Sequence, residues 1–265
     1  MARPCVRLTD VDEVAVVVAH HERATLRVGE VFLKVDGDQD RADREVRAMA
    51  AAPVPTAAIL WRSPPVVALA ALRGRAIARL GHPSSASAEA WSAAGAVVRR
   101  LHDAAVPSWP GTGLDEKMAS LDAECSWLIA NDVLPQDLVR RNRAIAEAAR
   151  RPRPPVFMHG DLQVAHVFVD EDGAGRGNVT VTGILDWSEA GRGDGMYDIA
   201  SLTLGHREHL EDVVAGYGSG VDLDAVRGWW SLRSLTAIRW LDEHGFDPFA
   251  PGCEVDVLRS QLQPH

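Results

Sequence analysis

A change of hydrophobic period divides this chain, and it constrains the fold more than any single motif. Residues 14–35, VAVVVAHHERATLRVGEVFLKV, hold three β-branched runs separated by HHER and GE. Side chains alternate across a strand with a period of two, so these runs read as a meander of antiparallel strands. DGDQD then supplies capping aspartates for a helix over about residues 39–52. Its apolar members Ala42, Val46 and Met49 recur every three to four residues, leaving Glu45 beside that stripe. PVPT breaks the helix, and AAILW and PPVVALAAL read as two further strands before RGR turns the chain.

Past residue 73 the helical period takes over. SSASAEAWSAAGAVVRRLHD opens on capping serines and sets Trp91, Ala94, Val98 and Leu101 on one core face. Residues 114–131 and 135–150 also read as helices. A strand (155–158), a loop (159–166) and a hairpin (166–170 and 179–185) follow, with DEDGAGRGN at the hairpin tip and Asp186 at its end. The remainder is helical, at about 196–204, 207–216, 222–243 and 253–262. The expected class is α+β. A sheet-rich lobe spans 1–73, a larger, mainly helical lobe spans 74–265, and a ligand cleft lies between them.

Composition narrows the function. The chain has 265 residues with 46% apolar and 25% charged, ordinary for a globular protein. No apolar run reaches membrane-spanning length, and MARPCVRLTD does not read as a signal peptide. Cys5, Cys125 and Cys253 are far apart without metal spacing, so a cytoplasmic protein with reduced thiols is expected. The net charge of −9 argues against a nucleic-acid partner; it is compatible with a cationic small molecule and is equally explained by solubility. A monomer or homodimer is expected. Of 28 basic residues only Lys34 and Lys117 are lysine. A chain that writes arginine nearly everywhere writes lysine in EVFLKVDG, where a compact ammonium on a flexible stem has a chemical use.

The densest chemistry lies in FMHGDLQVAH, residues 157–166, followed by GILDW. His159, Asp161, His166 and Asp186 come close together there. Taken alone, two acids and two imidazoles suit a hydrolase, a metal site or a phosphotransfer loop. Phosphoryl transfer needs a cation on the nucleotide phosphates, a carboxylate for Mg²⁺ and a carboxylate near the incoming hydroxyl. Lys34, Glu45, Asp161 and Asp186 supply those parts in that chain order.

With FLKV, REVRAM, PVPT, RRLHD, HGDLQVAHVFVD and GILDWSEAGRGDGMYDIA, this order resembles the aminoglycoside phosphotransferase family over nearly the whole chain. The resemblance implies a protein-kinase-like two-lobe fold. It implies that Asp161 is the catalytic aspartate, that Lys34, held by Glu45, contacts the α- and β-phosphates of ATP or GTP, and that Asp186 chelates Mg²⁺. The stretch Ala68–Leu72, Ala70 and Leu72 in particular, would face the purine, and His159 would hold the loop through backbone hydrogen bonds. Two departures stand out. AHHERAT carries no glycine where the family often covers the phosphates with a small loop, leaving Arg23 and Thr25 as candidate phosphate contacts. His166 stands where most of the family has a metal-binding asparagine, and macrolide-modifying members are similar in this respect. An imidazole nitrogen can also ligate a divalent ion.

The implied acceptor is a hydroxyl of an antibiotic-like small molecule: an aminoglycoside, a basic peptide or a macrolide. A small-metabolite kinase of the same fold, on an amino alcohol or sugar, and an inactive nucleotide-binding module are the alternatives. Ser188 and Glu189 lie beside Asp186, and AVRGWWSLRSLTAIRWLDEHGFD adds Trp229, Trp230, Arg233, Trp240, Asp242 and Glu243. Trp229 and Trp240 read as core, and the helix's acidic end reads as solvated. Asp194 and Asp198 of GDGMYD read as helix caps that brace the loop, and His102 as a packing residue at a helix end.

Overall fold

The computed structural model describes residues 14–19, 22–111, 114–171 and 179–263. Cys5, the two histidines of HHER and most of the hairpin tip lie outside the described residues. The first lobe is a five-stranded antiparallel sheet in the order β1 (Val14–Ala19), β2 (Arg23–Val28), β3 (Val31–Asp36), β5 (Val66–Ala70), β4 (Ile59–Ser63). Between β3 and β4 runs helix α1 (Gln39–Ala51). Asp38 caps it by accepting from the Arg41 N–H at 3.1 Å. Its buried positions are Ala42, Glu45, Ala48 and Met49, so a carboxylate occupies the face that the apolar stripe turns inward.

The second lobe is built on helices α2 (Ala88–His102), α3 (Leu114–Ala130), α4 (Gln136–Ala146), α5 (Gly195–Thr203), α6 (Leu210–Tyr217), α7 (Leu223–Glu243) and α8 (Glu254–Ser260). Ser87, Asp194 and Asp222 cap α2, α5 and α7 through backbone N–H groups. Trp91, Ala94, Val98 and Leu101 are all buried on α2. Two small sheets lie among the helices. Strands β6 (Arg75–Ala76), β8 (Val167–Glu171) and β9 (Val179–Ile184) form one; β7 (Val156–Met158) and β10 (Gly191–Gly193) pair antiparallel in the other. The pattern-based reading misses β6 and β10 because two or three residues carry no period. It also overruns α4, which stops at Ala146 rather than 150.

PVPT does more than end α1. The Ile184 N–H donates to the Pro55 carbonyl at 2.9 Å, and Thr56 forms a parallel bridge with Ile184. The first lobe is thereby sewn to the strand that delivers Asp186.

Helices α2 and α6 meet backbone to backbone. A methyl group at Gly216 would overlap the Ser92 carbonyl, and one at Gly95 the Val213 carbonyl. A Gly216→Ala variant is expected to lose at least about 1–3 kcal/mol through overpacking. In thermal unfolding its Tm should fall by several degrees; an unchanged Tm would show that the helix contact is not tight.

Candidate active site

Lys34 lies in the middle of the sheet, on β3, opposite Thr25 on one side and Val67 on the other. Its ammonium donates to Glu45 Oε1 at 2.6 Å and to Asp186 Oδ1 at 3.1 Å. One cation thus joins the first-lobe helix to the second-lobe loop. Burial alone would favour the neutral amine, but Asp186 and Glu45 outweigh it and raise the Lys34 pKa. Burial pushes the Glu45 carboxyl up against the pull of Lys34.

Asp186 follows β9 and has φ 63, in the left-handed region that few residues other than glycine, asparagine and aspartate adopt readily. Such strain persists where surrounding contacts enforce it. Those contacts are Lys34, the Ser188 hydroxyl, which donates to Asp186 Oδ1 at 3.3 Å, and Arg23, whose Nη1 is 3.9 Å from the same oxygen. Burial pushes the Asp186 carboxyl up, but Lys34, His166 and Arg23 together hold it below the usual carboxylate range.

The loop 159–166 is fixed from behind by Asp198. That buried carboxylate accepts from the His159 N–H at 2.6 Å and the Gly160 N–H at 2.9 Å, and bonds His102 Nε2 at 3.1 Å. Gly160 has φ +85, and a side chain there would run into the Glu189 carbonyl. Asp198 therefore braces the loop, as the sequence suggests, but it lies inside α5 and does not cap it, a correction to that half of the expectation; Asp194 caps the helix alone. His102, buried between Asp198 and the Tyr217 hydroxyl at 3.0 Å, packs at its helix end as expected.

His159 Nε2–H donates to the Leu185 carbonyl at 3.0 Å, and its Nδ1 accepts from the Asp161 N–H at 3.3 Å. It joins the loop of Asp161 to the segment of Asp186. Both Asp161 carboxylate oxygens accept from Gln163 Nε2, at 2.9 and 3.1 Å. Sequence reasoning overlooked Gln163, whose position two residues after Asp161 is its only signal. His166 Nδ1–H donates to the Asp161 carbonyl at 2.8 Å, since a carbonyl can only accept. In the neutral ring that bond selects the tautomer whose Nε2 carries the free lone pair, 3.9 Å from Asp186 Oδ2.

The other candidates divide. Ala70 ends β5 and its N–H is taken by the Ala58 carbonyl; the Ala71 N–H is taken by Glu30. Leu72 packs against Gly183, just before the Asp186 segment. Trp229 is core, its indole N–H donating to Asp194 at 2.8 Å. Trp240, also expected in the core, is 50% exposed, on the face of α7 opposite the fully buried Ile238. Arg233 is largely buried, with Nη1 3.4 Å from Glu254 Oε1. Burial would lower its pKa, but Tyr197, Glu254 and Asp161 raise it, so the guanidinium lies within electrostatic reach of the Asp161 carboxylate. Glu254 had no signal in the sequence. Among the described residues no three His, Cys, Asp or Glu side chains converge on a closed metal cage.

The sequence profile of the phosphotransferase enzyme family matches residues 9–233. The chain belongs to that family. Solved structures share the phosphotransferase fold at low identity. A choline/ethanolamine kinase family protein from Mesorhizobium loti is 18% identical with a TM-score of 0.64, covering 95% of this chain and 88% of its own. The GDP and kanamycin complex of APH(2")-IIia is 17% identical with a TM-score of 0.68, covering 95% and 93%. The macrolide 2'-phosphotransferase of Brachybacterium faecium is 18% identical with a TM-score of 0.62, covering 97% and 94%. No curated protein matches the chain. No helix among the described residues is long and apolar enough to cross a membrane.

Burial holds the His159 pKa below its ordinary value. The unfolded ring takes up a proton near pH 6.5 while the folded ring resists until lower pH, so this residue's contribution to stability falls as pH drops through about 6.5. An imidazolium could no longer accept the Asp161 N–H. The Tm should decline between about pH 7.5 and 5.5, and less steeply in His159→Asn. Equal slopes in the two proteins would exclude the effect.

Proposed function

We propose that this phosphotransferase moves the γ-phosphate of ATP or GTP to a hydroxyl of a small, antibiotic-like molecule in the cytoplasm. The observation that carries the reading is Lys34, held at 2.6 Å by Glu45 and at 3.1 Å by Asp186. A first-lobe cation and a second-lobe carboxylate meet where a nucleotide phosphate chain would run, beside the loop of Asp161. The nucleotide-binding lobe would span 1–73 and the acceptor lobe 74–265. GDP accompanies one structural relative and ADP another, a spectinomycin phosphotransferase.

In this mechanism Lys34 and Arg23 face the phosphates. The Leu72 N–H, with no backbone partner among the described residues, is a donor for the purine, whereas the Ala70 N–H is spent inside the lobe. Asp186 and His166 Nε2 would hold Mg²⁺. The donor set fits, because Mg²⁺ commonly takes one or two protein ligands and fills its octahedron with phosphate oxygens and water. When bound, the ion would neutralise charge on the phosphates. Asp161, oriented by Gln163, aligns the acceptor hydroxyl and takes its proton as the new P–O bond forms and the bond to the β-phosphate breaks, releasing the nucleoside diphosphate. Asp161→Ala should cut turnover about 10²–10⁴-fold and leave nucleotide affinity largely unchanged. Labelled ATP with an acceptor panel reads the first and calorimetry the second; equal turnover in the variant would sink the reading.

The acceptor side is shaped by α7. Most of this helix is buried, but Arg233, Thr236, Ala237 and Trp240 are half-buried or exposed at spacings of three and four, so they form one stripe. At its inner end the Arg233 guanidinium feels the Asp161 carboxylate. At the outer end Trp240 stacks on His244 at 4.1 Å and on Phe246 at 6.0 Å, beside exposed Asp242, Glu243 and Asp247. Arg233 and Trp240 are separated by about 10 Å along the axis. A ring-bearing, cationic acceptor of antibiotic size reaches both ends; an amino alcohol does not. Trp240→Ala should raise KM about tenfold for such an acceptor with kcat retained. Unaltered KM for every acceptor turned over would favour the small-metabolite reading.

A further inference from the structure

Helix α1 carries a second contact besides Glu45. Two residues on, the exposed Arg47 lays its guanidinium over the Trp109 ring, 4.5 Å from the centroid. Trp109 belongs to the second lobe, in the segment between α2 and α3. Its indole N–H donates to the Ala190 carbonyl at 3.0 Å, and its own carbonyl accepts from the Arg192 N–H at 2.9 Å. Both partners lie just beyond Asp186. The ring also meets Phe157 edge-on at 6.3 Å. Phe157 meets Trp187 at 6.3 Å, and Trp187 packs on His159 at 4.6 Å. Trp187 directly follows Asp186, and His159 precedes Asp161 by two residues. A continuous series of packed rings and hydrogen bonds therefore runs from the helix of Glu45 to both acidic segments.

We propose that Arg47 and Trp109 are positioning residues, a joint between the lobes that sets the Lys34–Glu45 pair against Asp186 so that the phosphate site is assembled. The inference rests on the nucleotide-binding reading above. Lys34 can address phosphates and Asp186 together only if α1 is held at a fixed distance from the second lobe. The Lys34 ammonium cannot hold that distance alone, because its role requires it to engage phosphate. A guanidinium over an indole suits such a joint, being attractive, planar and tolerant of small sliding. Neither residue touches the reacting atoms, so both act through Glu45 and Asp186.

Coupling of this kind is established by double-mutant analysis. Affinity for ATP and for GTP is measured by calorimetry on the full chain, which needs no knowledge of the acceptor, and the tighter-binding of the two nucleotides is followed in the variants. Arg47→Ala, at an exposed position that leaves folding intact, should weaken nucleotide binding about threefold to fivefold, and Arg47→Lys about twofold or less. Trp109→Ala, which also loses the indole hydrogen bond, should weaken it about tenfold, with Trp109→Phe in between. In a Glu45→Gln background the Arg47→Ala effect should shrink, because part of its route runs through Glu45. A loss of equal size in that background, or nucleotide binding by Arg47→Ala equal to wild type, overturns the joint and leaves the kinase reading intact. A wild-type protein that binds neither ATP nor GTP overturns both.

Discussion

The site depends on keeping one ammonium charged inside a largely buried setting. Lys34 has two carboxylate partners from different lobes, and without them burial would favour its neutral form. The partners in turn need the cation, since a buried carboxylate that loses its counter-charge is costly. Much of the architecture serves this arrangement. The sheet places Lys34 between Thr25 and Val67, the α1 cap fixes the face that presents Glu45, and the Pro55–Ile184 hydrogen bond brings the strand of Asp186 alongside. Asp198 performs the matching service for Asp161, taking backbone N–H groups of the loop in a place where no water would satisfy them.

Much of this was legible in the sequence because it follows from period and from residue chemistry. The three strands of residues 14–36, the α1 stripe and the core face of α2 each show a period long enough to read. Lys34 was conspicuous because arginine is used almost everywhere else. What could not be read has a common cause: it depends on contacts between segments distant in the chain. GDGMYD points to capping and bracing but not to the division of labour, in which the first aspartate caps the helix and the second turns inward to hold loop N–H groups. Trp240 looks like a core residue in a helix full of them, and its exposure depends on which face of the helix its neighbours leave uncovered. Strands β6 and β10 are too short to announce themselves and exist because β8 and β7 offer them partners.

The histidine at position 166 is accommodated without disturbing this frame. Its Nδ1–H is spent on the Asp161 carbonyl, so the ring couples the backbone of one acidic residue to the side chain of the other. A hydrogen-bonded imidazole with one nitrogen left over is the usual form of a histidine prepared for a ligand. The local geometry around Asp161 and Asp186 is then set by three imidazoles, since His102 steadies Asp198, His159 ties the two segments and His166 faces the carboxylate.

The left-handed backbone at Asp186 bears on how the residue is to be dissected. Alanine at that position would remove a charge and also the short polar side chain that makes φ 63 tolerable. Two perturbations would then be read as one, and an inactive variant could owe its loss to a displaced loop. Asparagine tolerates the same backbone and keeps the shape while discarding the charge. It is therefore the substitution whose phenotype speaks about the carboxylate with the backbone left in place.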